Sequence, residues 1–347
     1  MGSSAHCTGD CSRVFLANTP SLGGNAALLV LFAILIPIAF ILGIRYKSSI
    51  FATTVTTGLA LEVVGYIGRV LLHGSPNGRG PFIVYLLGTT TGPTCICGAM
   101  FLMMPRIVAV YGEEFRSWRP FWHPFLFYAL TTVSLVLDLV GSIVSGIQDN
   151  SDLINIGIQV LVAGLAIQLA ALGIFVFHAI FFAIALRTRR HGLDPKYASV
   201  YNSRLFKMFL VAFSLATILL VVRTAYRVVE IAEGFDSSIA QDEVLFLVLD
   251  GVMVLIATLL LLGFFPARAF GQSWLQTSSR RLSQTPPRPL RPSPAQLPPS
   301  ARPSPTYNNR MSLKSSVSGQ SPRYSPRKSS YAQPPPQRNM VDSDALW

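Results

Sequence analysis

Residues 218–250 read ILLVVRTAYRVVEIAEGFDSSIAQDEVLFLVLD, and this stretch decides the fold. It consists of two apolar runs joined by a short acidic loop, and both runs carry charged side chains. Arg223, Arg227 and Glu230 share one face of a helix because they stand four and three residues apart. A charge in the middle of a bilayer costs at least ~2.5 kcal/mol on insertion scales. Charged side chains in such a segment must therefore be paired with opposite charges, be hydrated or serve the function of the protein.

The composition is that of a membrane protein. Apolar residues make up 51% of the 347 residues and charged residues only 13%, and the mean hydropathy is +0.47. Soluble domains carry about 25% charged residues. Uncharged runs at 25–44, 80–105 and 153–186 are each long enough to cross the hydrocarbon core, which takes about 20 residues. We therefore predict an all-α membrane protein, a seven-transmembrane helix bundle. The spans are expected at 25–44, 50–72, 82–104, 122–147, 157–183, 208–232 and 243–265.

The distribution of Lys and Arg predicts the orientation. Of the 28 basic residues, 23 fall on one side of the predicted spans, and only Arg13 and Arg79 fall on the other. Basic loops stay in the cytosol. We therefore expect the N-terminus outside and the C-terminus in the cytosol. The predicted domains are an extracellular segment (1–24), a transmembrane domain (25–266) and a disordered cytosolic tail rich in Pro, Ser and Arg (267–347).

The two terminal segments contain short motifs with open interpretations. Cys7 and Cys11 form a disulfide if the N-terminus is extracellular, or they remain free thiols. The tail segment from Pro286 to Arg291 (PPRPLR) fits a polyproline ligand for an SH3-type partner, or it is a plain solvated linker. Among the Ser and Thr residues of the tail that precede a proline, Thr285, Ser321 and Ser325 are the candidate phosphorylation sites.

A set of polar side chains lies within the predicted spans. The charged members are Glu62, Arg69, Asp138, Arg223, Arg227, Glu230, Glu243 and Asp250. Glu243 and Asp250 are seven residues apart and should share a helix face. Tyr226 and Gln168 are further candidates, as hydrogen-bond partners or as packing. Counting depth along each span places Arg69, Glu230 and Glu243 near the outer surface. It places four more closer to mid-depth: Glu62, Asp138, Arg223 and Asp250. The set is therefore either a buried ion-pair network that fixes helix register or a polar cavity that opens outward.

Small residues in the second span predict close packing against a neighbouring helix. Gly65 and Gly68 are the candidates.

Several function classes leave no trace in the sequence. It contains no P-loop, no zinc-site spacing, no nucleophile elbow and no dinucleotide fingerprint. We therefore expect neither an enzyme nor ATP-driven transport by this chain alone, and no cofactor or metal. The excess of basic residues lies in a tail and some loops and does not describe a nucleic-acid surface, so a nucleic-acid partner is not expected.

The polar residues and their surroundings resemble a known family. The phrases that carry the resemblance are NTPSLGGN at 18–25, E-x-x-G-Y-x-x-R from Glu62, G-L-x-x-Q ending at Gln168, and R-x-x-Y-R-x-x-E from Arg223, followed by Glu243 and Asp250. Together they resemble the fungal lipid-translocating exporter family, which includes 7-aminocholesterol-resistance and sphingoid-base-release proteins. The resemblance spans about residues 18–266. It implies a plasma-membrane protein that handles sphingoid bases, sterol-like amines or toxic amphiphiles and is linked to drug resistance.

Two functions remain open from the sequence. The first is translocation of a membrane lipid or amphipathic small molecule. The second is a seven-helix receptor or sensor that signals through its tail, which would have the same expected orientation. The third span ends in MMPRIVAVY, without the Asp-Arg-Tyr signature of one large receptor class, and the seventh lacks Asn-Pro-x-x-Tyr. These differences favour the translocator.

Overall fold

The structure is a computed structural model, and it describes residues 20–75, 78–112, 122–147, 151–188, 195–235, 237–274 and 277. The chain divides into two units, Met1–Arg288 and Pro289–Trp347. All described residues belong to the first unit.

Seven helical spans are long and apolar enough to cross a membrane, as the sequence predicted. The first two are single helices, Leu22–Arg45 and Ser49–Gly74. The third combines the helices Arg79–Phe101 and Met104–Tyr111. The fourth, fifth and sixth are Trp122–Ile147, Ser151–Thr188 and Arg204–Ala232. The seventh runs through Glu243–Phe246, a π-helical turn at Leu247–Val252, Met253–Gly263, Pro266–Phe270 and a 3₁₀ turn at Gly271–Trp274. Short helical turns at Pro195–Tyr197, Ala198–Tyr201 and Ser238–Gln241 lie between spans.

Most helices extend beyond the predicted spans. The fifth has 38 residues, which at 1.5 Å per residue makes it about 57 Å long. The hydrocarbon core is only about 30 Å thick. Hydropathy marks the part of a helix that is apolar, whereas the backbone stays helical through polar ends such as Asp152 and Arg187. The predicted ends at 157 and 183 therefore fall inside the helix.

The third span lies at the centre of the bundle. In its most apolar window 72% of residues are buried, against 17% for the fifth span. It packs along the second span on one side and the fourth on the other. The sixth span packs against the fifth and the seventh. Polar groups on the third span are therefore shielded from lipid by the neighbouring helices.

Two glycines let the second span approach the third closely. A Cβ atom on Gly65 would lie 2.7 Å from the backbone nitrogen of Thr89, and one on Gly68 would lie 2.5 Å from that of Tyr85. Neither position has room for a side chain, which confirms the predicted close packing. This approach brings Tyr85 and Thr89 into the interior, next to the charged residues of the sixth span.

The start of the seventh span is fixed by a local cap. The Asp242 carboxylate accepts hydrogen bonds from the backbone N–H groups of Val244 (3.0 Å) and Leu245 (3.1 Å). Carboxylates at this position satisfy the free N–H groups of a first turn and favour the helix dipole. Glu243 and Asp250 are positioned by the helix that begins here.

Candidate intramembrane site

The centre of the site is an ion cluster between the sixth and seventh spans. Asp250 Oδ1 lies 2.7 Å from Arg223 Nε and 3.6 Å from Arg227 Nε. Arg227 donates a 2.9 Å hydrogen bond from its Nη1 to Glu230 Oε2. All four side chains are buried. The predicted face of the sixth span is thus turned inward, and Asp250 joins it from the seventh.

The third span supplies neutral acceptors for the two arginines. Arg223 donates to the backbone carbonyl of Thr89. Arg227 donates to the Thr89 hydroxyl (3.3 Å) and to the Tyr85 hydroxyl (3.4 Å). That carbonyl is in reach because the glycines of the second span hold the third span close. The guanidinium groups are therefore held between carboxylates on one side and the third span on the other.

Asp250 sits inside the π-helical turn Leu247–Val252. A π turn holds one more residue than an α turn, and such turns recur at functional sites. Neither oxygen of the Asp250 carboxylate accepts a hydrogen bond from any described residue, although Oδ1 is in ion-pair contact. The acid is thus held electrostatically and keeps its capacity to accept hydrogen bonds.

Glu62 reaches toward this cluster from the second span without a cation of its own. Its side chain is 1% exposed, and Oε1 has no hydrogen-bond partner within the described ranges. No Lys, Arg or His nitrogen of the described residues lies within 4.0 Å of it, whereas Arg223, Arg227 and Asp250 act on it from further away. The aliphatic part of the Glu62 side chain packs on the third span, where a Cβ atom added to Gly92 would lie 3.0 Å from Glu62 Cγ.

A hydroxyl stands beside Glu62 and Asp250. Tyr66 is fully buried, and its hydroxyl has no hydrogen-bond partner in the part of the chain that is described. A Cβ added to Gly251 would lie 2.5 Å from that oxygen, so the hydroxyl touches the backbone next to Asp250. Buried polar groups without partners are rare in native proteins, and each calls for an explanation.

A second cluster joins the first, second and seventh spans. Glu243 accepts hydrogen bonds from the backbone N–H of Ser21 (2.6 and 2.7 Å) and from Asn25 Nδ2 (2.8 Å). Asn25 Oδ1 accepts one from Arg69 Nε (3.1 Å). The Arg69 guanidinium stacks on Phe246, with 3.6 Å from Cζ to the ring centroid. Asn25 thus mediates between Glu243 and Arg69, and the cluster ties the beginning of the first span to the beginning of the seventh.

Asp138 and Gln168 lie apart from both clusters. Asp138 accepts a hydrogen bond from Thr94 Oγ1 (3.2 Å), and its Oδ1 has no partner among the described residues. Gln168 is buried, and neither amide atom meets a hydrogen-bond partner within the same ranges. The fourth and fifth spans are joined nearby, where Ser134 donates to the carbonyl of Gly164 (2.9 Å). Tyr226 is buried on the sixth span, and its hydroxyl likewise has no partner in the described segments.

The structure thus distributes nine of the ten predicted residues over three places, and the tenth, Tyr226, is buried on the sixth span with its hydroxyl unpartnered among the described residues. Arg223, Arg227, Glu230 and Asp250 form the central cluster, with Glu62 beside it. Arg69 and Glu243 belong to the second cluster, and Asp138 and Gln168 lie outside both. Glu62 and Arg69 share a span but make no direct pair. The candidates at Cys7, Cys11, Thr285, Ser321 and Ser325, and the segment from Pro286 to Arg291, lie outside the described residues.

Sequence reasoning missed the neutral partners of the charged residues. Thr89, Tyr85 and Asn25 form hydrogen bonds with the charged side chains and Tyr66 lies beside them, yet small or aromatic polar side chains in apolar runs carry no periodic signal of their own. Two indications were present, because Ser21 and Asn25 belong to the NTPSLGGN phrase and Tyr66 belongs to the E-x-x-G-Y-x-x-R phrase.

Acids outnumber arginines in the buried set. Four carboxyl groups (Glu62, Asp138, Glu230 and Asp250) and three guanidinium groups (Arg69, Arg223 and Arg227) are buried. If all were ionised, the described interior would carry an excess negative charge, which a low-dielectric environment disfavours. A proton or an added cation would balance it.

A family comparison covers every charged residue of this site. The family model described as "RTA1 like protein" matches residues 55–273, which include every candidate from Glu62 to Asp250. The chain belongs to the RTA1-like family. This confirms the resemblance drawn from the sequence motifs, and the protein is an integral, multi-pass membrane protein.

Curated relatives of this RTA1-like protein come from Saccharomyces cerevisiae. The sphingoid long-chain base transporter RSB1 of strain Lalvin EC1118 / Prise de mousse is 28% identical over 279 residues, which cover 72% of this chain and 73% of the relative. Two relatives come from strain ATCC 204508 / S288c. Protoporphyrin uptake protein 1 is 25% identical over 219 residues, or 62% of this chain and 67% of the relative. Protein RTA1 is 22% identical over 211 residues, or 60% and 63%. No solved structure matches the chain. At family level these relatives support a transporter of membrane lipids or amphiphiles.

Proposed function

We propose that this RTA1-like protein translocates a lipid amine, such as a sphingoid base, across the plasma membrane, and that the central cluster receives its ammonium headgroup. The observation that carries the proposal is the buried Asp250 carboxylate, neither of whose oxygens accepts a hydrogen bond from a described residue. An ammonium group has three N–H donors and a positive charge. It would donate hydrogen bonds to the Asp250 carboxylate, and its charge would offset the excess of buried acids over arginines.

The surrounding residues suit an amphipathic amine. The unpartnered hydroxyls of Tyr66 and Tyr226 offer hydrogen bonds to a hydroxyl near the amine. The hydrocarbon chain of such a ligand can remain in lipid, because the outward faces of the spans are apolar. The names of the yeast relatives agree with this class of cargo, since one is a sphingoid long-chain base transporter and another a protoporphyrin uptake protein. None of these names is that of an enzyme.

Release of a labelled sphingoid base from fungal cells tests the proposal. Cells that lack their own RTA1-like transporter would be loaded with the label and would express the wild type or Asp250→Asn at equal abundance. We expect the wild type to speed release at least several-fold and Asp250→Asn to lose most of that gain. The matched control is Asp242→Asn. Asp242 is exposed and caps the beginning of the seventh span, which also carries Asp250, and Asn caps helices well too. Equal release by the Asp250 variant at equal abundance would contradict the proposal.

The receptor alternative predicts a different result in the same cells. A sensor would bind the base and change the cell's response to it. It would not speed the movement of the base across membranes isolated from those cells. Saturable binding to isolated membranes without any movement of the base would replace translocation with sensing.

A further inference from the structure

The central cluster and Glu62 beside it together contain three carboxyl groups and two guanidinium groups. Asp250 is matched by Arg223 at 2.7 Å, and Glu230 is matched by Arg227 at 2.9 Å. Glu62 is the third acid, and no basic nitrogen of the described residues lies within 4.0 Å of its carboxyl group. With both pairs formed, an ionised Glu62 would leave one uncompensated negative charge in the interior.

The groups that face Glu62 do not relieve that charge. Asp250 faces it from the seventh span and repels its ionised form, while Arg223 and Arg227 of the sixth span are already engaged with their own acids. The third span presents the backbone at Gly92, and the second span itself adds the neutral hydroxyl of Tyr66. A buried acid without a cation becomes neutral by holding a proton, because an isolated buried charge costs far more than a neutral carboxyl group.

We infer that Glu62 carries a proton that is exchanged for the ammonium group of the cargo, so that the protein acts as a proton/amine exchanger. This inference rests on the proposed function, and it adds the residue, the stoichiometry and the driving ion. The Glu62 side chain is 1% exposed and its Oε1 is unpartnered in the described chain, beside the equally unpartnered Tyr66 hydroxyl.

The exchange balances in charge and atoms. When the protonated amine enters, the Glu62 O–H bond breaks, its proton passes to water on the side from which the amine came, and the carboxylate pairs with the ammonium group. When the amine leaves on the other side of the membrane, Glu62 takes up one proton from water there. The cluster contains one added positive charge in either state, so each cycle moves one amine against one proton. An inward proton gradient would thereby drive export of the amine.

Proton release on binding tests the inference in the purified full-length protein. The probe is a short-chain sphingosine in weakly buffered detergent solution with a pH indicator, and the control probe is its N-acetyl derivative, which has no ammonium group. The wild type should release one proton for each amine bound and none for the N-acetyl compound. By linkage, its Kd should fall about tenfold for each unit that the pH rises, as long as Glu62 is protonated in the free protein.

The Glu62→Gln variant tests whether the released proton comes from Glu62. Its amide is nearly isosteric with the protonated acid but cannot ionise to pair with the ammonium group. We therefore expect this variant to bind the amine more weakly, without releasing a proton and with a Kd that does not change with pH. Asp138→Asn is the comparison variant, because Asp138 is another buried acid without an arginine partner in the described chain, and it should release the proton as the wild type does. Undiminished release by Glu62→Gln, or loss of release in Asp138→Asn alone, would overturn the assignment.

A second measurement needs only the wild type. The infrared band of a protonated carboxylic acid should disappear as the amine saturates the protein. A band that persists unchanged at saturation, or binding without proton release, would contradict the exchange and leave the proposed translocation standing. Failure of the amine both to bind at any pH and to move across liposomes would contradict the proposed function itself.

Discussion

Arg227 shows how a buried charge is held in this interior. Its guanidinium group contacts Glu230 and Asp250 and donates to Thr89 and Tyr85. Five N–H donors in a planar fork make such multiple contacts feasible, whereas a lysine ammonium group could not reach the same partners. The pairing with Glu230 was predictable, because the two residues are one turn apart on a helix.

Removing one member of this pair should cost more than removing both. Arg227→Gln leaves the Glu230 carboxylate buried without its cation, a change that typically costs about 3 to 5 kcal/mol. In the double variant Arg227→Gln/Glu230→Gln that orphaned charge is gone. Because the double variant should cost less than either single variant, the coupling free energy in a double-mutant cycle must exceed the smaller single cost. We therefore expect about 3 kcal/mol or more when unfolding is measured by melting in detergent. Additive effects of the two substitutions would show that the pair contributes no coupling.

At the scale of elements, the packing of the second span on the third positions the site. The backbone at Gly65 is so close to Thr89 that a Cβ atom would overlap it at 2.7 Å. We expect Gly65→Ala to lower the free energy of unfolding by about 1 to 3 kcal/mol through overpacking and to displace the Thr89 carbonyl from Arg223.

The fifth span provides the matched control for this substitution. A Cβ on Gly173 would meet no atom within 4 Å, so Gly173→Ala should leave stability and amine release unchanged. Equal melting temperatures for the Gly65 and Gly173 variants would show that the close approach of the second and third spans does not matter for stability.

The π-helical turn of the seventh span aims Asp250 at the arginines. Val248 lies in this turn and faces lipid, with 47% of its surface exposed. Deleting Val248 removes one residue, which lets the turn close as an ordinary α-helix. We expect the variant to stay folded in detergent but to lose amine release, because the direction of Asp250 changes. Deleting Ile256 in the α-helical part should instead unfold the protein, and the reverse pattern would contradict this role of the turn.

The sequence predicted the helices better than it predicted their contacts. Seven spans and the inward face of the sixth follow from apolar runs and from the spacing of Arg223, Arg227 and Glu230. The π turn was not predictable, because no residue pattern marks it. Nor was the division into clusters, because Asn25 and Thr89 are brought to the charges by tertiary packing alone.

At the scale of the whole molecule, the predicted orientation of the protein in the membrane rests on its basic residues. Of these, 23 fall on one side of the predicted spans and two on the other. We expect a tag fused after Trp347 to resist external protease in intact cells and to be cleaved once the membrane is permeabilised. A tag before Met1 should be cleaved in intact cells. Cleavage of the C-terminal tag in intact cells would show that the protein has the opposite orientation.

Charge balance in the interior connects the residue, the helices and the activity. The described interior buries four acids and three arginines, and lipid amines would supply the missing positive charge. The central claim is that this cluster moves such amines from one leaflet to the other.

Movement of a fluorescent sphingoid base between the leaflets of liposomes that contain only the purified protein tests this claim most directly. We predict that the wild type speeds the movement well above that in empty liposomes, that an N-acetylated base is not accelerated, and that folded Asp250→Asn loses the acceleration. Saturable binding of the base by the wild type, with movement no faster than in empty liposomes, would contradict translocation and identify the protein as a sensor.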